Sequence, residues 1–389
     1  MKILHYIKTF SKISETFVYD QIINLENRDI DNYILSQNRD LKKERPFNEN
    51  KIYIFKERDR FLLEKALHKI FYWEKYNLRN EKEVKKIIEK LNPDIIHAHF
   101  GYNGIFIKKL LKKYKLNIPL IIAFHGTDIT SKPVLDFAYR QEIKNLKTYK
   151  NSIYTANSFF LKNKMIQYGI LKNKIEIVKN TFNKQFLNTK NNNFFKDGKD
   201  FKIINIARFV DIKGQKYLLK AFAKLVKNDY KNSSLTFIGD GNTKKEIEQL
   251  ANALKIRNKV NFLGIVDHNK IPYILKRQNI YVQPSIKDLK TFQEESFGIV
   301  ILEAIVVGLP VIVTNTGGIS ETVIEDDQQF SFIVPEKNPE AIYKILKKMV
   351  SNKYTFKDNA NYAKKIINKF SPENNTNDII NIYKRLLKN

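Results

Sequence analysis

Two carboxylates at a defined spacing are the clearest candidates for chemistry in this sequence. Glu295 and Glu303 are separated by seven residues, and the run 299–307 is apolar at every position except Glu303. A run that is apolar on all sides predicts a buried helix, where an unpaired carboxylate is costly. Glu303 must therefore reach water in a cleft or accept hydrogen bonds, and the hydroxyls of a ligand are suitable donors. Glu295 lies in the loop that enters the helix and can reach the same crevice.

The residues after this helix predict a phosphate site. Gly308 and Pro310 are expected to end the helix, and the apolar run 311–314 is a short buried strand. The Thr-Gly-Gly sequence at 316–318 is expected to open a further helix. A strand, a glycine-rich turn and a helix N-terminus together favour anion binding, because the free amide groups of the first helical turn point at the ligand.

Two cations give a second candidate for phosphate binding. Arg208 and Lys213 flank the turn that follows the predicted strand 202–208, and a helix is expected from about Gln215. The guanidinium group can bind two oxygens at once, whereas the ammonium group acts as a point charge. The pair could hold a diphosphate from two sides, and the alternative is two solvated loop cations.

Histidines near strand ends give a weaker signal. His125 ends the apolar run 120–125, and a lone histidine in that position is more often structural. His97 and His99 alternate along a predicted strand and therefore share one face while the strand persists. No third metal ligand is evident near them in the sequence, so we interpret them as residues that line or support the acceptor side.

No metal or other cofactor is expected. Asp29 and Asp31 match an Asp-x-Asp metal motif by letters. They lie in the connection that leads into the second predicted strand, whereas ligands bind at the carboxyl ends of the strands. We therefore interpret them as part of a solvated turn. Arg208 and Lys213 can carry the charge of a diphosphate instead.

Chain length and periodicity predict two α/β domains. A chain of 389 residues exceeds one typical core. Strands alternate with helices, which requires parallel sheets covered on both faces. We predict an N-terminal domain at 1–187, a linker at 188–200, a second domain at 201–371 and a final helix within 372–389. The predicted strands are 2–7, 32–36, 51–55, 94–99, 120–125, 152–158 and 175–180 in the first half, and 202–208, 234–239, 260–264, 279–285, 311–314 and 331–335 in the second.

The charge is strongly basic, with 69 Lys and Arg against 41 Asp and Glu and a net charge of +28. The segments 107–115 and 56–90 combine basic residues with bulky apolar ones, which is typical of proteins that rest on anionic lipids. Ordinary core packing and compositional bias are the alternatives. Nucleic-acid binding is also compatible with a basic surface, but no nucleic-acid motif is present.

The chain contains no cysteine, which fits a reducing cytoplasm, and no run is long enough to span a membrane.

The segment ESFGIVILEA, followed by GLPVIVTNTGGISE, resembles the signature of retaining glycosyltransferases of family 4. This resemblance covers nearly the whole chain and implies the GT-B fold, in which two Rossmann-like domains with parallel sheets face each other across a cleft. It also implies that the last helix crosses back to the first domain, and that hinges lie near 185–200 and at Ser371 and Pro372. The reaction implied is transfer of a hexose-type residue from a nucleotide diphosphate sugar to an acceptor hydroxyl with retained anomeric configuration.

The resemblance also implies roles for single residues. Arg208 and Lys213 would neutralise the departing diphosphate, Glu303 would bind the ribose hydroxyls, and Glu295 and His125 would contact the donor sugar. Other predicted substrate-binding residues are Phe297, Gly298, Gly317, Gly318, Val266, His99 and Asn180.

The first loop departs from the pattern of many relatives, because 8–16 contains no glycine. Its Ser14, Glu15 and Thr16 are similar to a branch of bacterial exopolysaccharide and capsule glycosyltransferases. They are predicted to contact substrate, and the alternative is that Ser14 and Thr16 cap the next helix.

The expected acceptor is a lipid-linked saccharide at the inner face of the cell membrane, used in capsule, exopolysaccharide or lipopolysaccharide assembly. The enzyme would then be cytoplasmic and peripheral. A soluble acceptor is the alternative within the same enzyme class, and a basic nucleic-acid-binding protein is the alternative from another class.

Overall fold

The chain forms two compact units, Met1–Asn180 together with Pro372–Asn389, and Thr181–Ser371. The computed structural model describes residues 1–55, 80–189, 200–323, 330–351 and 359–388. The division comes earlier in the chain than the predicted boundary at 187, because Phe182 and Phe186 are buried in a core cluster of the second unit. Residues 190–199 of the predicted linker and 56–79 of the predicted basic aromatic segment lie outside the described residues.

The first unit contains a seven-stranded parallel sheet in the order β5-β3-β1-β6-β7-β8-β9. Its strands correspond to all seven predicted ones, and the central strands β6 and β7 are buried at every position, as expected for a sheet covered on both faces. The strand bounds are β1 Lys2–Tyr6, β3 Asp31–Ser36, β5 Ile52–Ile54, β6 Ile95–His99, β7 Leu120–Phe124, β8 Ser152–Ala156 and β9 Ile175–Ile177.

Helices cover this sheet. Those described before the unit boundary are α1 Thr16–Glu26, α2 Glu81–Leu91, α3 Gly101–Lys113, α4 Lys132–Leu135, α5 Phe137–Asn145 and α6 Phe159–Gln167. The C-terminal helix, α13 Pro372–Lys388, belongs to the same unit and buries Ile379, Ile382 and Tyr383 against Ile3 and Ile121. The last helix therefore returns to the first unit.

A small parallel pair that the sequence did not predict follows β1. Strand β2 (Thr9–Phe10) pairs with β4 (Asn38–Arg39). The guanidinium group of Arg45 donates to the carbonyls of Ser11 and Lys12 at 3.3 and 2.8 Å. The glycine-free first loop is therefore held by strand pairing and by a nearly buried arginine.

The second unit contains a six-stranded parallel sheet in the order β12-β11-β10-β13-β14-β15. All six predicted strands of this half are present, with bounds β10 Phe201–Ile206, β11 Ser233–Ile238, β12 Val260–Phe262, β13 Ile280–Gln283, β14 Val311–Thr314 and β15 Ser331–Val334. The helices are α7 Gln215–Asn228, α8 Lys244–Ala253, α9 Ile271–Leu275, α10 Ile299–Val307, α11 Pro339–Val350 and α12 Asn359–Lys369.

Both sheets have the order of a doubly wound α/β domain. In each, the first strand lies centrally and the strand order reverses beside it, between β1 and β6 and between β10 and β13. Ligands of such domains bind outside the carboxyl ends of the strands at this point of reversal. The loops after these four strands are therefore the ones that position a site.

Candidate functional site

The loop after β10 carries the predicted cations of the second unit. Asp211–Lys213 form a single 3-10 turn, and Gly214 follows with a positive φ of 63° before α7 begins. A Cβ atom on Gly214 would lie 2.0 Å from the Pro284 carbonyl oxygen. Only glycine lets this loop pack directly on the loop after β13, which places Lys213 beside the residues that follow that strand.

Glu295 is the partner of Lys213. The ammonium group donates to Oε1 of Glu295 in a short ion pair, with 19% and 14% of the two side chains exposed. The Ser285 hydroxyl donates to the same oxygen at 3.1 Å. One predicted acid and one predicted cation, far apart along the chain, are therefore brought together at the carboxyl end of the central strands.

The turn that contains Gly317 and Gly318 supports the backbone of Glu295. The Gly318 amide donates to the Glu295 carbonyl at 2.8 Å, and a Cβ on Gly317 would lie 2.0 Å from the same carbonyl oxygen. Main-chain groups of Gly317 and Gly318 were predicted to lie near the donor sugar or phosphate, and this remains a prediction. In this structure the Gly318 amide is used to hold Glu295. The helix expected after this turn begins as a 3-10 turn, Ser320–Thr322.

A buried polar chain lies behind Glu295. The Tyr281 hydroxyl donates to Gln283, whose amide donates to the Ser285 hydroxyl at 2.8 Å. Burial, followed by the negative charges of Glu295 and Glu303, raises the pKa of Tyr281 well above its usual value. Tyr281 therefore stays neutral and lies within the electrostatic reach of both predicted carboxylates.

Glu303 is only 3% exposed and lies in α10, as predicted. Its hydrogen-bond donor is His268, whose Nε2 lies 2.9 Å from Oε1 of Glu303. The Gln185 amide lies 3.1 Å from Nδ1 of His268. Because an amide NH₂ donates to Nδ1, the proton of a neutral His268 is on Nε2 and points at Glu303. The buried carboxylate thus has a protein partner that the sequence did not reveal.

Arg208 and Val266, two further predicted residues of this unit, lie in loops after strands of the same sheet. Arg208 is exposed, and its carbonyl accepts a hydrogen bond from the Gln215 side chain at 2.9 Å. Val266 is half-buried in the connection between β12 and His268 and packs against the core cluster around α10. Both lie in loops that also carry Lys213 or His268.

The Phe297 side chain packs in the core, and its contact with substrate remains a prediction. Phe297 is 7% exposed and packs edge-on against Phe370, with ring centroids 5.7 Å apart. Gly298 directly precedes α10, and its carbonyl accepts from the Ile301 amide at 3.1 Å. An apolar ring next to a buried helix lowers the free energy most by joining the core.

In the first unit, His125 lies at the carboxyl end of β7 and is half-buried. Its ring lies 4.8 Å from the rings of Phe17 and Phe100, measured between centroids. Burial lowers the pKa of His125 to about 3. The imidazole is therefore neutral at physiological pH and can donate or accept one hydrogen bond at each nitrogen.

Asp128 shapes the loop that carries His125. Its fully buried carboxylate accepts backbone amides of Gly101 and Gly126 at 2.8 Å and of His125 at 3.1 Å. Burial raises the pKa of Asp128, and these hydrogen bonds oppose the rise. The acid thereby joins the end of β7 to the N-terminus of α3.

His99 and His97 are core residues, 0% and 2% exposed. The contact of His99 with substrate remains a prediction. Their strand, β6, lies in the centre of the sheet, where side chains face covering helices. The third histidine that the sequence did not suggest is His5 on the neighbouring strand β1, with Nδ1 3.1 Å from Nε2 of His99. One nitrogen from each of the three rings lies within 4.8 Å of the others.

The outer contacts of this histidine group keep it neutral and fixed. Asn32 lies 2.9 Å from Nε2 of His5, and the Tyr383 hydroxyl lies 2.8 Å from Nδ1 of His97. Burial lowers the pKa of His5 to about 4 and places the pKa values of His97 and His99 well below their usual value. The group links the C-terminal helix to the centre of the sheet.

The remaining predicted residues of the first unit lie in the first loop and at Asn180. Glu15, not Ser14 or Thr16, occupies the N-cap position of α1, without a side-chain cap. Glu15 forms an ion pair with Lys12 at 3.2 Å, and burial raises its pKa while Lys12 opposes the rise. Ser14 is exposed, and Asn180 is the half-buried last residue before the unit boundary. The expected capping role of Ser14 and Thr16 is therefore wrong.

Comparison with protein families covers nearly the whole chain. The family described as Glycosyltransferase Family 4 matches residues 14–186, and the family described as Glycosyl transferases group 1 matches residues 188–369. These two matches adjoin and follow the two units.

The chain is a GT-B glycosyltransferase of the family 4 type.

Curated relatives and a solved structure agree with this assignment. The glycosyltransferase is 28% identical over 273 residues to N-acetyl-alpha-D-glucosaminyl L-malate synthase of Bacillus anthracis, covering 67% of this chain and 66% of that protein. It is 23% identical over 292 residues to the amylovoran biosynthesis glycosyltransferase AmsK of Erwinia amylovora, covering 73% and 69%. The structure of Anabaena Alr3699/HepE in complex with UDP has a similar fold, with a TM-score of 0.76, 18% identity and coverage of 99% and 100%.

Among the described residues of this glycosyltransferase, no helix has the length and apolar character needed to cross a bilayer.

Several residues of the candidate site were not predicted. His268 and His5 acquire their partners through contacts between distant segments. Tyr281 and Ser285 bond within the stretch from Tyr281 to Glu295. Asp128 had a sequence signal, because it follows His125 and Gly126 at the end of an apolar strand. Acids placed just after a strand end often accept loop amides, and that pattern could have identified it.

Proposed function

We propose that this glycosyltransferase moves a hexose-type residue from a nucleotide diphosphate sugar to an acceptor hydroxyl, with retention of the anomeric configuration. The observation that carries the proposal is the ion pair of Lys213 and Glu295 at the point where strand order reverses in the second sheet. This ion pair offers a cation for a diphosphate and a carboxylate for sugar hydroxyls within one group of contacts.

The proposed binding step uses the charge balance of this pair. Lys213 is neutralised by Glu295 in the structure, and Arg208 in the same loop is exposed. A diphosphate entering beside them would share Lys213 with Glu295 and bind the guanidinium of Arg208 through two oxygens. Glu295 then keeps the ammonium group in place, and its second oxygen can accept from a hydroxyl of the donor sugar.

Departure of the diphosphate is the step that these cations accelerate. Negative charge grows on the leaving oxygen as the bond to the sugar breaks, and cations held in place beforehand stabilise that charge without reorganisation. The acceptor hydroxyl would attack on the face from which the diphosphate leaves, and the leaving phosphate would take its proton. We propose that His125, neutral because of its low pKa, binds a donor-sugar hydroxyl.

Glu303 is proposed to hold the nucleoside. Its carboxylate is oriented by His268, which leaves acceptor capacity on the carboxylate for two ribose hydroxyls. Val266 lies two residues before His268 in the same loop. Main-chain groups of this loop are proposed to contact the base. The UDP complex of Anabaena Alr3699/HepE makes a uridine nucleotide the first candidate.

The proposed acceptor is a lipid-linked saccharide of bacterial surface polysaccharide synthesis. The relative AmsK is named for amylovoran biosynthesis, and another relative is Protein CapJ of Staphylococcus aureus. A lipid-linked acceptor would bring the enzyme to the inner face of the cell membrane, which suits a net charge of +28. A small soluble acceptor is the second candidate, because another relative is named N-acetyl-alpha-D-glucosaminyl L-malate synthase.

A thermal-shift panel with UDP, GDP and ADP tests the donor proposal. A ligand at about 100 times its dissociation constant should stabilise the protein by ~2.7 kcal/mol, which gives a measurable rise in Tm. One nucleotide should raise Tm in the wild type and much less in Lys213→Ala. If none of the nucleoside diphosphates or their sugars raises Tm, the donor proposal is overturned. Sugar transfer in the presence of EDTA tests the expected independence from metal.

A further inference from the structure

A row of polar side chains runs along the buried strand β13 of the second unit. Tyr281 and Gln283 lie two residues apart on this strand and therefore share one face, and Ser285 follows just after the strand ends. These three residues, hereafter the polar row, are 0%, 5% and 0% exposed. Strand β13 has a neighbour on both sides, β10 and β14, and such central strands are usually apolar. The polar row departs from that pattern.

The hydrogen bonds of the polar row lead to Glu295. The Ser285 hydroxyl lies 3.1 Å from Oε1 of Glu295, the oxygen that also binds the ammonium group of Lys213. The amide nitrogen of Gln283 lies 2.8 Å from the Ser285 hydroxyl, and the Tyr281 hydroxyl makes a short hydrogen bond to the amide oxygen of Gln283. A buried polar group is costly unless it has a partner. Each member of the row has one, and the row ends at the acid proposed to bind the donor sugar.

The charge of Glu295 sets the direction of these hydrogen bonds. A carboxylate paired with an ammonium group accepts hydrogen bonds and donates none, so the Ser285 hydroxyl must donate to it. Because the Ser285 proton is then used, Ser285 accepts from the NH₂ group of Gln283, whose oxygen faces Tyr281. The Tyr281 hydroxyl must in turn donate to that oxygen. All three donors point towards Glu295, an arrangement in which each hydrogen bond polarises and strengthens the next.

The backbone and the side chain of Glu295 are held by different parts of the unit. The Gly318 amide holds the Glu295 carbonyl at 2.8 Å, whereas Lys213 and Ser285 both bind Oε1 of the side chain. We infer that the polar row is a set of positioning residues for Glu295, which hold the carboxylate so that Oε2 is presented to the donor sugar. This inference rests on the proposed function, in which Glu295 accepts from a hydroxyl of that sugar.

Steady-state sugar transfer by single variants tests the inference. Ser285→Ala removes the donor next to Glu295 and should lower kcat about tenfold, because hydrogen bonds to charged groups are the stronger ones. Tyr281→Phe removes one oxygen at the far end of the row and should lower kcat about threefold, because the Gln283 amide is then less firmly oriented. A wild-type kcat in both variants overturns the inference.

Tyr154→Phe is the matched control. It also removes a buried tyrosine hydroxyl, one that donates to the Leu146 carbonyl at 2.7 Å in the first unit. Its kcat should equal that of the wild type even where its Tm falls. If Tyr154→Phe lowers kcat as much as Tyr281→Phe does, loss of a buried hydroxyl is sufficient and the polar row has no special role.

A double variant separates positioning from a general loss of packing. Tyr281 acts only through Ser285, so Tyr281→Phe combined with Ser285→Ala should have the kcat of Ser285→Ala alone. Reductions that multiply would show two independent effects on the core and overturn the inference. Gln283→Met covers the case in which Ser285→Ala folds poorly, because it breaks the row at similar volume. It should also lower kcat about tenfold, and a wild-type kcat in this variant counts against the row.

Nucleotide binding distinguishes this inference from the proposed function. Ser285→Ala should keep the rise in Tm caused by the nucleoside diphosphate that stabilises the wild type, because that ligand carries no donor sugar. A low kcat with this response kept supports the positioning role, and loss of both overturns it. If Glu295→Gln keeps wild-type kcat, the proposed role of Glu295 fails and the inference with it. If Glu295→Gln is impaired while Ser285→Ala and Gln283→Met are not, the inference alone fails.

Discussion

The two sheets of this glycosyltransferase place very different side chains at the points where their strand order reverses. In the first unit the group is neutral and largely buried, with His5, His97 and His99 bonded to one another or to Asn32 and Tyr383. In the second unit the group is ionic and partly exposed, with Lys213 paired to Glu295. Since buried neutral rings cannot offer charge to a ligand, this difference supports placing the proposed diphosphate site in the second unit.

Removing the cation of the second unit should have the largest effect. Lys213→Ala should lower kcat by about 10²–10³, the usual cost of losing one group that stabilises charge in the transition state. Steady-state sugar transfer measures it, with Lys216→Ala, in the first turn of the following helix α7, as the control. A wild-type kcat in Lys213→Ala would contradict the proposal that the second unit stabilises the departing diphosphate.

Acid should destabilise the first unit through its histidines. The pKa of His5 is about 4 when folded against 6.5 in the unfolded chain. Between these values the unfolded state binds more protons, so the free energy of unfolding falls as pH drops from 6.5 towards 4 and changes little above 6.5. His5 alone contributes about 3 kcal/mol to this loss.

Urea unfolding at several pH values measures the acid effect. His5→Gln should have a shallower pH dependence than the wild type. Equal slopes for wild type and His5→Gln would show that the buried ring is not held neutral.

The glycine turn behind Glu295 should tolerate no side chain. Gly317→Ala places a Cβ 2.0 Å from the Glu295 carbonyl oxygen at a φ of 56°, so the turn must move and carry Glu295 with it. We expect a loss of about 2 kcal/mol in the free energy of unfolding together with lower kcat. Gly264→Ala is the control, because its φ is 68° but nothing lies within 4 Å, and it should keep its kcat.

Weakening the nucleoside contact should have the smallest effect. Glu303→Gln should raise KM for the donor about tenfold with little change in kcat, since a bond to ribose is present in both ground and transition states. His268→Gln should act through the same hydrogen bond, so the double variant should be no worse than Glu303→Gln alone. Additive effects would show that His268 does not orient Glu303.

The regular elements could be predicted because they depend on local patterns. Buried parallel strands read as short apolar runs, which identified every strand of both large sheets. The helix at Ile299–Val307 and its end at Gly308, with a φ of 98°, followed from the apolar run and the glycine. The β2–β4 pair was missed because it is two residues long and is fixed by a distant arginine.

The site could be predicted only in part. Lys213 and Glu295 were identified and do lie together. Phe297 and His99 were assigned to substrate but are buried, because sequence shows that a residue lies near a strand or helix end without showing which way its side chain points. His268 could not be assigned to Glu303, since the two are distant in sequence and share no motif.

By itself, the sequence determined the alternation of strands and helices, the two α/β domains and the residue types available at strand ends. Hydrophobic periodicity, glycine and proline affect backbone conformation within a few residues, so these features depend on short stretches of sequence. The tertiary structure alone decided which charges are neutralised, which histidines are buried and where the units divide. Those outcomes depend on packing between segments up to 286 residues apart, as for His97 and Tyr383, and no local pattern records such a contact.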